Sequence, residues 1–279
     1  MTENLSDAQV IDRFRSADGS ILGPMTCYGD HANIPPANKE TLTEIAYLLR
    51  SVLECEGRRF RLLSLGAAPG DWAARAQRAY EKAFGRGDYM SVCVEADLNK
   101  IRMMEHFFKT MAIDQGRNII VYAAVAPKPG WAHFPIAGDN DWGCYIVGLT
   151  GDDGSLEHKI NVPAGNVAAG AGKDIQSRGV MAMTLAQLLA QTGPVDYLHS
   201  DVQGTEADIF PADIEAVERS AKYCCISTHA RKIDATLPQF FEGRGWHIKA
   251  HLPAHCVDGP HGEECHGDGI LIVRNPSQP

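Results

Sequence analysis

Between Lys39 and Leu53 the apolar residues Leu42, Ile45, Ala46, Leu48, Leu49, Val52 and Leu53 recur three and four positions apart, the spacing that lines one face of a helix. The pattern then changes. Short, nearly continuous apolar runs ("FRLLSLG", "YMSVCVEA", "NIIVYAAVA", "VDYLHSDV", "KYCCISTH") alternate with helical stretches ("DWAARAQRAYEKAF", "LNKIRMMEHFFKTMA", "LAQLLAQ", "EADIFPADIEAVERS" interrupted at Pro211, and "LPQFFEGRG"). Strands that are apolar on both faces and separated by helices predict a parallel sheet covered on both sides, an α/β, doubly wound architecture. The last two runs, "WHIKAHL" and "GILIVRN", have no helix between them and are free to pair antiparallel.

Residues 1–37 are polar, with a short helix over Asp7 to Arg15, and end in the proline-marked "NIPPANKE"; they read as a leader. Residues 38–279 read as one domain, a length that buries a sizeable core. Within it, residues 127–180 break the alternation with turn residues and one hairpin-like pair of runs, which predicts an insertion over the sheet edge that caps the substrate.

Charge narrows the partners. The formal net charge is -9 and no Lys/Arg cluster is dense enough to track phosphates, so nucleic acid is not expected. No apolar run is long enough to cross a bilayer, and the polar N-terminus lacks the pattern of a secretion signal, so a cytoplasmic location is expected. The eight cysteines, with Cys93, Cys224 and Cys225 inside strand-like runs, read mostly as reduced core residues.

Gly66 and Gly70 bracket the turn from the first strand into its helix, at the carboxyl edge where open α/β sheets bind ligands. Glycine there lets the chain turn and lets a ligand approach the backbone. Asp71 stands where it caps the helix or faces a ligand ammonium. The G-x-x-x-G spacing differs from the dinucleotide G-x-G-x-x-G, and an anionic Asp71 competes with pyrophosphate. The second strand closes on "VEAD", which places Glu95 to accept ribose hydroxyls, with Asp97 as a helix cap beside it. Together these imply a ribose-bearing ligand without an essential pyrophosphate.

"LLSLGAAPGDW", "VCVEAD", "IIVYAAVAPKPGWAHF", "MTLAQLL" and "YLHSDVQGTEADIF", in that order over about residues 60–245, resemble the FkbM-type S-adenosylmethionine-dependent methyltransferases. The resemblance implies the class I methyltransferase fold, a Rossmann-like sheet of seven strands with the last one antiparallel. It implies that the Gly66–Gly70 turn, with Ser64, Ala67 and Asp71, passes under the methionine part of S-adenosylmethionine, and that Glu95 and Ala96 meet its ribose. It implies that Asp201, Gly204 and Glu206 face the methyl group and the acceptor, a small hydroxylated molecule such as a sugar or secondary metabolite. The sequence departs from the family pattern at Ser64, Ala68, Ala96, His199 and Gln203. Those departures motivate an alternative, a non-catalytic cofactor- or partner-binding module of the same fold.

A hydroxyl acceptor sheds its proton near the transition state, and Asp201 or His229 can take it; His229, just past the fifth strand at the same sheet edge, ranks first as base. Glu206 is a third catalytic candidate or a first-turn helix acid. A Mg²⁺ ion bridging Asp201 to a diol suits the carboxylate chemistry, although no full ligand set is visible. In "DNDWGCY", Trp142 with Asp141 beside it is placed to stack on a sugar. "GNVAAGAGKD" is not a phosphate loop, because Val167 stands for the first glycine and Asp174 follows Lys173. In "HLPAHCVDGPHGEECH", His251, His255, Cys256, His261, Cys265 and His266 offer zinc ligands without C-x-x-C spacing; a metal or a plain polar loop are both open. A homo-oligomer is also open.

Overall fold

The computed structural model describes residues 5–15, 21–22, 39–136, 148–150, 158–161, 174–259 and 262–278. In chain order the elements are α1 (Asp7–Phe14), α2 (Lys39–Glu54), β1 (Phe60–Leu65), α3 (Asp71–Phe84), β2 (Tyr89–Glu95), α4 (Leu98–Thr110), β3 (Asn118–Tyr122) and β4 (Ala124–Val125). Then come β5 (Gly130–Pro135), β6 (Gly148–Thr150), β7 (His158–Asn161), β8 (Asp174–Met183), α5 (Leu185–Thr192), β9 (Val195–Ser200), α6 (Glu206–Ala212) and α7 (Ile214–Ser220). The chain closes with β10 (Ala221–Thr228), α8 (Arg231–Gly243), β11 (His247–Leu252), β12 (His255–Gly259), β13 (Gly262–Gly267) and β14 (Gly269–Arg274).

The main sheet has seven strands in the order β11-β14-β10-β9-β1-β2-β3. Pairing is parallel from β10 through β3, and β14 runs antiparallel between β10 and β11. This is the expected doubly wound sheet with its last strand reversed. Successive side chains of a strand point to opposite faces, and both faces are dry. On one side Phe60, Leu62 and Tyr89 pack with Ile45, Leu48, Leu49, Tyr80 and Phe108 from α2, α3 and α4. On the other, Leu63, Leu65, Val92 and Val94 pack with Leu188, Phe210, Val217 and Phe241 from α5 to α8. Two apolar faces explain why the strand segments read as continuous hydrophobic runs.

The N-terminal helix belongs to this core. Ser6 and Gln9 form a reciprocal capping box at the start of α1, and Val10 and Phe14 are buried in the cluster under α2. Strands β5, β6 and β7 of the 127–180 segment join the short β4 before it and β8, which runs on to Met183, in a second sheet, β4-β8-β5-β6 with β7 on β8.

Three local departures have physical causes. The break in the helical stretch after β9 falls at Asp213, not Pro211, which is accommodated inside the seven-residue α6. Helix α8 begins at Arg231, ahead of Pro238, because Asp234 anchors its first turn by accepting hydrogen bonds from Thr228 Oγ1 (2.5 Å) and Ala254 N (2.8 Å). The His/Cys-rich segment is a β12–β13 hairpin rather than a loop, closed by a Cys256–Cys265 disulfide. That pair departs from the reduced-core reading, whereas Cys55, Cys93, Cys224 and Cys225 are free and buried. No helix among the described residues is long and apolar enough to cross a membrane.

Candidate functional site

At the carboxyl edge of the sheet the chain leaves β1 through a turn that needs glycine twice, and both needs come from the protein itself. Gly66 adopts φ +64°, and a Cβ there would overlap the backbone carbonyl of Asp201, which follows β9. Gly70 adopts φ +90°, and its Cβ would press on the Phe108 ring and the Met104 side chain of α4. The expected ligand approach is therefore not what forbids side chains at these two positions. Gly70, not Asp71, is the N-cap of α3. Asp71 is the first helical residue, with its Oδ2 3.6 Å from Arg75 Nε.

Glu95 ends β2 under that turn. Its Oε1 accepts the backbone N–H groups of Ala96 (2.7 Å) and Asp97 (2.8 Å), and its Oε2 accepts that of Ala68 (3.2 Å). Burial pushes its carboxyl up to about 7 against the pull of those three donors. Oε2 accepts one of these bonds and retains acceptor capacity for a hydroxyl. Asp97 caps α4 by accepting from Asn99 N (2.8 Å). Beside Glu95 a cleft opens between Ala96, Asp97, Tyr122, Phe134 and Arg178. Ala67 is buried, with its N–H on Val94 O. Ser64 is buried too, and its Oγ lies 3.4 Å from His199 Nδ1, on the β9 side of β1.

One strand over, the three expected catalytic side chains meet. His229, just past β10, places Nδ1 3.0 Å from Glu206 Oε1 and Nε2 3.1 Å from Asp201 Oδ1, with Asp268 Oδ1 at 3.5 Å from Nε2. Glu206 is fully buried at the start of α6, and its Oε1 also accepts Val202 N. Burial disfavours the imidazolium, but the flanking Asp201 and Glu206 carboxylates outweigh it and raise His229 well above its usual range. Asp201 is pushed up by burial and pulled down further by His229, His199 and the Gln203 side-chain N–H, which donates to Oδ1 at 2.8 Å. The two carboxylate neighbours thus favour the protonated imidazole, which has no free lone pair and does not suit the part of base.

The cluster borders a cavity of about 320 Å³ lined by Thr41, Glu44, Trp72, His199, Asp201, Ser227, Gly267, Asp268 and Ile270. Glu44 and Trp72 were not anticipated. Glu44 lies one turn before Leu48 on the buried stripe of α2, and a carboxylate on an apolar stripe is the signal that finds it. His199 stands 3.9 Å from Glu44 Oε1 and 4.8 Å, ring to ring, from Trp72; burial keeps it neutral by lowering its pKa. Trp142 and Asp141 lie outside the described residues, as does His261. Among the described residues, the metal-ligand set of three or more within 4.8 Å is Cys256, Glu263 and Cys265, which excludes Asp201. Its two sulfurs are joined to each other. His251 turns instead to Asp234, 3.5 Å away.

Residues 64–244 match the model of the methyltransferase FkbM domain. The chain belongs to the FkbM methyltransferase family. This FkbM methyltransferase is 26% identical over 262 residues to a protein of Jannaschia sp. (strain CCS1) named as a methyltransferase, spanning 93% of this chain and 88% of the relative. It is also similar to solved structures. One is precorrin-6y C5,15-methyltransferase from Geobacter metallireducens GS-15, at 11% identity and TM-score 0.44 over 85% of this chain and 91% of that one. Another is the methyltransferase FkbM from Methylobacillus flagellatus KT, at 10% identity and TM-score 0.40 over 84% and 55%. The enzyme is an S-adenosylmethionine-dependent methyltransferase, and the spare acceptor on Glu95 fits the ribose of that cofactor.

Proposed function

We propose that this FkbM methyltransferase transfers a methyl group to a hydroxyl oxygen of a small acceptor seated in the cavity between α2, β9 and β14. The observation that carries the reading is Asp201: an ionised carboxylate, one-third exposed on the cavity wall and backed by the His229–Glu206 pair. S-adenosylmethionine, when bound, supplies a methyl group already activated on a sulfonium, which leaves the protein to align the acceptor and take its proton. Glu95, Ala96 and the turn from Gly66 to Gly70 would hold that cofactor.

The roles within the cluster follow from charge. Asp201 accepts the hydrogen bond of the acceptor hydroxyl and so orients its oxygen. That proton becomes strongly acidic as the oxygen gains a third bond and positive charge, so a carboxylate held below its usual range still receives it. His229 steadies the charge on Asp201, and Glu206 fixes the ring from behind, the arrangement in which a buried acid orients an imidazole. Incubation with labelled S-adenosylmethionine and a panel of sugars and polyols, followed by mass spectrometry, tests the reading. Methyl ether products support it; methylation confined to carbon or nitrogen overturns it.

A further inference from the structure

The cavity that takes the acceptor is built from acids. Among the described residues its lining carries three acidic side chains, Glu44, Asp201 and Asp268, and neither lysine nor arginine. Asp201 already has His229 as a counter-charge. Among the described residues Glu44 has none: its Oε1 receives a thiol hydrogen bond from Cys225 (3.6 Å) and faces the neutral His199 at 3.9 Å. A carboxylate nine-tenths buried on a cavity wall, with only a weak thiol donor, is costly to keep and is best satisfied by a positively charged donor.

Two further features point the same way. Burial, then repulsion from Asp201, Asp71 and Asp268, lifts Glu44 to about 8, so the local field rewards a cation. The indole of Trp72 supplies an aromatic surface in the same lining, a surface that favours ammonium groups. The volume sits at the small end of ligand pockets.

Resting on the methyl-transfer reading, the geometry points to an acceptor that carries a protonated amine beside its hydroxyl, an amino sugar or amino alcohol, with the ammonium held between Glu44 and Asp268 against Trp72. The hydroxyl then lies toward Asp201. Charge recognition and proton removal are divided between different acids of one cavity.

The test uses matched pairs: glucosamine against N-acetylglucosamine, and ethanolamine against ethylene glycol, titrated by calorimetry into the full chain loaded with S-adenosylhomocysteine. At least one amine is expected to bind tenfold or more tighter than its neutral partner. Glu44→Gln is expected to collapse that ratio toward one. Asp268→Asn, at a half-exposed position that cannot upset the core, is expected to lower it too. Equal or undetectable binding across all pairs overturns the inference, as does a ratio unchanged in both variants. A Glu44→Gln effect confined to S-adenosylhomocysteine affinity also overturns it, since the cavity would then serve the cofactor's own ammonium, and so does saturable binding of Mg²⁺ alone that this variant abolishes. Amine preference without any methyl ether product leaves the cation site standing and sinks the O-methyl reading; methyl ethers formed equally well on neutral acceptors do the reverse.

Discussion

Gly66 and Asp201 are in backbone contact: the bare α-carbon of one packs against the carbonyl of the other, while Asp201 N donates to Leu65 O at 2.9 Å. The turn after β1 and the acid after β9, the proposed cofactor and acceptor sides of the site, are thereby locked to each other. Gly66→Ala meets both a positive φ and a backbone clash, and backbone cannot swing aside as a side chain can. A loss of at least ~2 kcal/mol in denaturant unfolding is expected. Gly85→Ala, at φ +74° with nothing within 4 Å, is the control for φ alone and is expected to cost about 1 kcal/mol.

Glu206→Gln tests the charge pair behind Asp201. Removing the carboxylate at His229 Nδ1 takes away one of the two groups that hold the imidazolium, so the His229 pKa falls; histidine NMR titration reads it directly. The sign for stability follows. A histidine raised in the folded state stabilises fully below its unfolded pKa, and that contribution is lost as pH rises through the folded value. The variant lacks part of this contribution, so its stability is expected to decline less on going from acid to alkaline pH. An unshifted His229 resonance would remove Glu206 from the cluster.

The layout was legible where periodicity is strong. Strand and helix runs placed Asp201, Glu206 and His229 at one sheet edge because the carboxyl ends of parallel strands share that edge, and the structure brings all three into contact. What periodicity does not carry is partner chemistry. Nothing in the order of residues 199–229 shows that His229 is clasped by two acids, which favour its imidazolium over a free base. Glu44 stands 157 residues before Asp201 and Asp268 stands 39 residues after His229, yet α2 and the turn before β14 bring them to the same cavity. The glycines were read for ligand approach, yet Asp201, Phe108 and Met104 occupy that space. Cys256 and Cys265 face each other through hairpin pairing, and a one-residue change in register would have parted them.

With Glu95 on the cofactor's ribose, as proposed, S-adenosylmethionine binding is expected to depend on pH. Its carboxyl, raised by burial to about 7, is neutral below that point and ionised above it, and ribose hydroxyls donate more strongly to the ionised form. Cofactor affinity is expected to rise as pH increases through about 7. Glu95→Ala is expected to weaken binding by at least ~1 kcal/mol and to flatten the profile, as measured by calorimetry. A wild-type affinity that stays level over this range excludes the contact.

Asp201→Asn keeps the shape of the side chain and removes its charge. Cofactor affinity is expected to persist while turnover falls ~10²-fold or more, the range for loss of a general base. Near-normal turnover would place proton acceptance on another group.

Glu44 sets the last expectation, because its carboxyl titrates about 8 in the folded chain and near 4.5 when unfolded. Between those values the folded state holds a proton that the unfolded state has released, so stability contributed by neutral Glu44 is complete in acid and is lost as pH rises toward 8. One such group accounts for a slope of at most ~1.4 kcal/mol per pH unit. The groups that bear on it are Asp201 and His199 from β9, Asp71 from α3, Asp268 before β14 and Cys225 from β10. Glu44→Gln mimics the neutral form at every pH. Its unfolding curve is expected to meet that of the wild type in acid and to separate from it as pH rises, with the variant the more stable. Parallel curves would show that the wall of the cavity does not force a proton onto this side chain, and the field argued to draw a cation into it would lose its support.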